Sequence, residues 1–203
     1  MKNREDQLST VDCQLSTDRL IWTIGHSNHP IERFVQILKA HNIELVIDVR
    51  RFPASRKWPH FNAGALAKSL PVSGIAYSGM PELGGRRKAL PDSPHTAWRV
   101  EAFRGYADFM DTPEFANGLE ALMRLAREKR AAVMCAEALP WRCHRSLIAD
   151  ALVARGWAVF DVLSEKEART HKLPDFARVE GTRVIYDGES CRSKLPETPL
   201  PPG

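Results

Sequence analysis

Apolar residues along this chain fall into two alternating rhythms. Arg19-Leu20-Ile21-Trp22-Thr23-Ile24 is a short β-rich run closed by Gly25-His26-Ser27. Pro30 then suits a first helical turn, where its missing N–H costs no hydrogen bond. Ile31, Phe34, Val35 and Leu38 recur at the spacing of one helix face. Leu45-Val46-Ile47-Asp48-Val49 is almost wholly apolar, the signature of a strand covered on both sides. A short helix is predicted over 63–70, a third strand over 74–77, and a long loop over 79–94. Phe103, Tyr106, Ala107 and Met110 line one side of a helix over 99–110. Thr112-Pro113 opens another, with Phe115, Leu119, Leu122 and Ala126 facing inward. Ala131 to Met134 reads as a fourth strand and 158–163 as a fifth. The helix between them carries Leu147, Ile148, Ala151 and Leu152 and is stopped by Gly156. Residues 179–187 supply a hairpin or an edge strand.

This alternation predicts an α/β fold, a three-layer α/β/α arrangement around a mainly parallel sheet. A single domain over 19–187 is expected between a polar lead, 1–18, and a Pro- and Ser-rich tail, 188–203, both predicted to be disordered. Such folds bind ligands beyond the carboxyl ends of their strands. That rule gathers 25–27, 48–57, 77–88 and 135–145 into one mouth, and the chain's polar and basic loop residues lie in these segments.

The richest of them is Cys135-Ala136-Glu137-Ala138-Leu139-Pro140-Trp141-Arg142-Cys143-His144-Arg145. A thiol and a carboxylate close a strand, and a second thiol, an imidazole and a guanidinium open a helix. Free N–H groups at a helix start favour anions and depress a thiol pKa. Cys143 is therefore a candidate nucleophile, with His144 and Arg145 as candidate anion holders. Glu137 is the candidate acid/base, while Cys135 reads as a small core residue. His26 is a candidate base or ligand, with Ser27 beside it. Asp48 and Arg50 straddle Val49 at the spacing of a carboxylate that steadies a guanidinium. The basic residues Arg51, Arg56 and Lys57, interleaved with Trp58 and Phe61, suit a nucleotide or a single strand. Leu83-Gly84-Gly85-Arg86 offers close backbone approach plus a cation but lacks the Gly-Lys-Ser/Thr ending of a Walker loop.

Other patterns fail. The position six after Cys135 is Trp141, and six after Cys143 it is Ala149, so no tyrosine-phosphatase loop is present. Cys-Ala-Glu with a following Pro and Cys is laid out unlike the zinc deaminases, whose triplet opens a helix. Seven residues between Cys135 and Cys143 is no standard metal spacing, so no metal and no cofactor is expected. A net charge of +4 permits a phosphate-bearing partner without demanding one. The four cysteines are too sparse for a disulfide framework. With no apolar leader and no run of about 18 apolar residues, the expectation is a cytoplasmic protein with no membrane partner.

Taken together, the motifs resemble the DUF488 proteins, a prokaryotic family of unassigned function. The resemblance runs from Ile21 to Leu163. It is carried by Thr23-Ile24-Gly25-His26-Ser27, Asp48-Val49-Arg50 with Pro53 and Ser55, Leu83-Gly84-Gly85, Tyr106-Ala107 with Met110, and Cys135-Ala136-Glu137 with Cys143-His144-Arg145. It implies an α/β domain with a family-wide polar site and brings no substrate. The residues themselves favour a protein that binds a phosphorylated ligand, a nucleotide or a nucleic-acid segment. Two classes stay open: a hydrolase or group transferase, and a non-catalytic nucleotide-sensing or nucleic-acid-binding module. A metal-binding protein is the third reading. Oligomeric state is not legible.

Overall fold

The computed structural model describes residues 19–188, so both terminal segments expected to be disordered lie outside the described residues, apart from Gly188. Five strands, β1 (Leu20–Gly25), β2 (Leu45–Asp48), β3 (Ala76–Gly79), β4 (Ala131–Cys135) and β5 (Ala158–Val162), pair in parallel in the order β3-β2-β4-β1-β5. A short β6 (Ala168–Thr170) adds antiparallel to β5, and β7 (Arg178–Glu180) and β8 (Arg183–Ile185) form a separate hairpin. The helices are α1 (Ile31–Ala40), α2 (Ala63–Val72), α3 (Glu101–Met110), α4 (Pro113–Glu128) and α5 (Arg145–Val153). The mainly parallel α/β sheet expected from the pattern is therefore present.

Strand alternation sends neighbouring side chains to opposite faces, and each face has its own core. Trp22, Ile24, Val46, Ala132 and Met134 meet Phe34, Ile37 and Leu38 of α1 and Leu66 and Leu70 of α2. Ile21, Leu45, Ile47, Val133 and Val159 meet Tyr106, Phe115, Leu119, Leu122, Leu147 and Leu152 from α3, α4 and α5. Burying one such aliphatic or aromatic side chain contributes roughly 1.5–3 kcal/mol, which is why the central strands tolerate so little polarity.

Local signals explain the element ends. Thr112 Oγ1 accepts from Phe115 N at 3.2 Å, and Pro113 fills the next position of α4. Pro30 caps α1 and lies just outside its first turn. The third strand starts two residues later than the pattern suggested. Gly74, at φ +80°, ends α2 instead, and Ile75 N returns to Leu70 O. β6 escaped notice because Ala168-Arg169-Thr170 carries no apolar rhythm. It is tied down by His171, whose ring bonds Asp161 on β5 at 2.8 Å and Asp150 on α5 at 2.9 Å. No helix of the described residues is long and apolar enough to cross a membrane.

Candidate functional site

Strands β1 and β4 lie side by side, with Gly25 level with Cys135. The chain leaves β1 toward α1 on one face and leaves β4 toward α5 on the other. This divergence opens a crevice at the carboxyl ends, where open α/β sheets bind ligands. The two loops are stitched together by His26 N to Cys135 O at 2.9 Å and Ser27 N to Ala136 O at 3.0 Å. Gly25 is obligatory here, because a Cβ would stand 1.9 Å from Glu137 O. Ser27 and Arg86, at φ 51° and 62°, hold left-handed backbone at the rim, a conformation non-glycine residues keep only where surroundings enforce it.

Beneath the crevice lies a closed polar layer. Arg50 grips Asp48 with Nε at 2.8 Å and Nη2 at 2.6 Å, and Nη2 also donates to Phe61 O at 2.7 Å. Its Nη1 donates to His26 Nε2 at 3.0 Å, and Tyr77 OH donates to Asp48 Oδ2 at 2.8 Å. His26 must then carry its proton on Nδ1, which donates to Ser27 O at 2.9 Å. Burial and the adjacent Arg50 charge lower the His26 pKa to about 4. Burial works against the Arg50 charge, yet the Asp48 bond raises its pKa. Burial and Asp48 push the Tyr77 hydroxyl up. All but one of the Arg50 N–H groups are spoken for, and the one left is on Nη1.

Above this layer sits a cluster of two thiols and an imidazole. His144 Nδ1 is 3.6 Å from Cys143 Sγ and 3.9 Å from Cys135 Sγ. His144 Nε2 donates to Val49 O at 3.1 Å, which turns the Nδ1 lone pair toward the sulfurs. Both cysteines are buried and free. A hydrogen bond from Cys143 pulls the Cys135 thiol well below the usual range against the cost of burial, and His144 adds to the effect. The same contact, with burial, pushes the Cys143 thiol up. The Gly-Gly loop closes over the imidazole. A Cβ at Gly85 would lie 2.9 Å from His144 Nδ1, and one at Gly84 2.5 Å from Arg51 Cβ. Tyr106 holds this loop through Leu83 O at 2.6 Å and packs its ring 5.1 Å from that of His144.

Two cavities meet at the cluster. One of about 220 Å³ is lined by Arg50, Arg51, Phe52, Arg86, Cys135 and His144 among others. The other, of about 600 Å³, is lined by Ser27, Arg86, Glu137, Arg142, Cys143 and His144 among others. Glu137 is the only carboxylate among their lining residues. It is exposed, just past the end of β4.

The structure brings together most, not all, of the residues expected in the mouth. Ser27, Arg50, Arg86, Glu137, Cys143 and His144 line it. His26 and Asp48 lie beneath, reaching it only through Arg50. Arg145 is turned away: fully buried, it donates to the carbonyls of Glu137 and, at 2.8 Å, of Ala138, clamping the loop that follows β4. Pro53 and Ser55 shape the loop after β2, with Ala63 N on Pro53 O and Trp58 N on Ser55 Oγ.

Residues 30–152 match the family model described as domain of unknown function DUF488, more than half of the chain. The chain belongs to the DUF488 family. The matched span includes Asp48, Arg50, Gly84, Gly85 and the whole Cys135–Arg145 segment; Gly25, His26 and Ser27 precede it. No curated protein and no solved structure matches the chain.

Two parts of the mouth were missed in the sequence. Cys135 reads as a core residue because it ends an apolar strand, and only the turn at Pro140 brings Cys143 back beside it. Arg142 lies in that turn with no periodic neighbour to mark it. The Cys-Ala-Glu triplet was the available signal, since a strand that ends on a thiol and a carboxylate ends at the crevice.

Proposed function

We propose that the crevice binds a phosphorylated ligand, a nucleotide or a nucleic-acid segment, and that the protein acts on it as a hydrolase or group-transfer enzyme. The carrying observation is the Cys135–Cys143–His144 cluster at the floor of a crevice whose rim bears Arg51, Arg86 and Arg142 and whose lining holds a single carboxylate. Guanidinium groups converging beside strand ends suit multidentate contacts to phosphate. Phe52, 65% exposed, stands at the lip with Arg51 and Arg86 within 6 Å of its ring, a surface on which a base can stack.

Roles follow from placement. Arg86, Arg51 and Arg142 meet the anion, and the spare Nη1 N–H of Arg50 reaches it from below. His144 and the two thiols face the reacting group, and Glu137 exchanges protons with it. His26 and Asp48 position Arg50, because both His26 ring nitrogens are already engaged. Arg145 holds the loop. Such thiols work in a reducing compartment, and we place the protein in the cytoplasm.

The test is a thermal-shift screen of nucleotides, pyrophosphate and short single strands, followed by phosphate-release assays on hits. Each charge-assisted contact contributes roughly 1.5–3 kcal/mol, so Arg86→Ala should weaken a hit about ten- to a hundredfold. Equal binding by Arg86→Ala would remove the anion assignment. A hit that binds but is never turned over would leave a nucleotide-sensing module.

A further inference from the structure

We propose that Cys135, Cys143 and His144 hold a zinc ion whose fourth position opens into the crevice. The chain spacing had argued against a metal, but the fold overrides spacing by returning Cys143 and His144 to the end of β4.

Three observations carry this. The first is distance. Zinc bonds of roughly 2.3 Å to sulfur and ~2.05 Å to nitrogen at tetrahedral angles place ligand N and S about 3.6 Å apart. His144 Nδ1 is 3.6 Å from Cys143 Sγ and 3.9 Å from Cys135 Sγ. All three donor atoms lie within 4.8 Å of one another. The second is orientation. Metal-ligating histidines donate their other N–H to a carbonyl or carboxylate, which fixes the tautomer. His144 Nε2 does so to Val49 O. The third is room. Cys135, Cys143 and His144 all line the cavity of about 600 Å³, so the space beside the three donors is open, while Gly85 lets the loop pack on the face of the imidazole, where a Cβ would stand 2.9 Å from Nδ1.

The donor set indicates the ion. Two thiolates and an imidazole select a soft or borderline cation, which zinc is and magnesium is not. Three protein ligands with an open fourth position are the arrangement of catalytic zinc, whereas structural zinc is closed by four. Because all three ligands line the crevice, the fourth ligand is water or an oxygen of the bound molecule. A disulfide would use the two sulfurs but would leave Nδ1 without purpose.

The inference deepens the reading above by supplying a Lewis acid for a phosphoryl oxygen, but its test stands apart. Full-length protein is purified with reductant, stripped with chelator and titrated with cobalt(II). The expected result is one equivalent bound, with the visible bands of tetrahedral cobalt, thiolate-to-metal charge transfer and displacement by zinc. Cys135→Ser, Cys143→Ser and His144→Ala, each checked for native circular dichroism, should weaken binding by more than about tenfold. A Cys13→Ser/Cys191→Ser variant should bind as wild type. Absence of the charge-transfer band in fully reduced protein would overturn the proposal, as would binding lost in the Cys13/Cys191 variant. If any of the three single variants would not fold, loss of the band on alkylating Cys135 and Cys143 replaces it, and retention of the band would overturn the proposal. Pyrophosphate thermal shift, read on the stripped protein, separates the two ideas: a shift without cobalt binding keeps the ligand site and removes the metal.

Discussion

Arg50→Met should be among the most damaging single changes near the crevice. Asp48 is 1% exposed, and Arg50 supplies it with two charge-assisted bonds. Removing the guanidinium leaves a buried carboxylate with Tyr77 OH as its remaining side-chain partner and strips Phe61 O and His26 Nε2 of theirs. Breaking one side of a buried pair costs about 3–5 kcal/mol, a large part of the ~5–15 kcal/mol that holds a domain together. Removing both partners costs less, because no charge is stranded. Asp48→Leu/Arg50→Met should therefore show a coupling of about 2–3 kcal/mol against the two single variants. Urea unfolding at neutral pH measures all four proteins. In the Arg50→Met variant the His26 resonance should also titrate above about 4, since burial, the larger cause of its depression, remains but the Arg50 charge is gone. A single-variant cost below about 1 kcal/mol, or strict additivity in the cycle, would refute the idea that this pair anchors the crevice.

Arg86→Gly should leave stability unchanged or raise it by up to about 1 kcal/mol, because φ 62° is strained for arginine, while weakening ligand binding; urea midpoints and a binding titration decide. Gly25→Ala should unfold the chain or displace the loop carrying Cys135, since the clash at 1.9 Å is with backbone, and a native-like melt would contradict it. His171 contributes through pH. Burial opposes its charge, but the bonds to Asp150 and Asp161 raise its folded pKa to about 9, above the ordinary 6.5. Its contribution of roughly 3 kcal/mol is then full below 6.5 and lost as pH rises through about 9. A urea midpoint equally flat over that range in wild type and His171→Gln would contradict this. Glu137→Gln should bind a hit normally and lose turnover, whereas full turnover would remove Glu137 from the chemistry.

The sheet was legible because strands covered on both faces must be apolar, as Leu45 to Ile47 and Ala131 to Met134 are. The Asp48–Arg50 pair was legible because alternation puts both on one face. The direction of Arg145 was not. A guanidinium at a helix start reads as an anion holder, and only the packed loop shows it turned onto two carbonyls. Nor was the pairing of Cys135 with Cys143, because the Pro140 turn that joins them leaves no periodic trace. His171 was invisible for a similar reason, since its partners come from β5 and α5, far away in the chain.

The most direct test is the crystal structure of the full chain soaked with tungstate, a heavy phosphate mimic, read by anomalous scattering. The account predicts a tungsten peak in the crevice, contacted by Arg86 and Arg142 and facing the Cys135–Cys143–His144 cluster. A crevice without that peak, in crystals whose tungstate sits elsewhere on the protein, would contradict it.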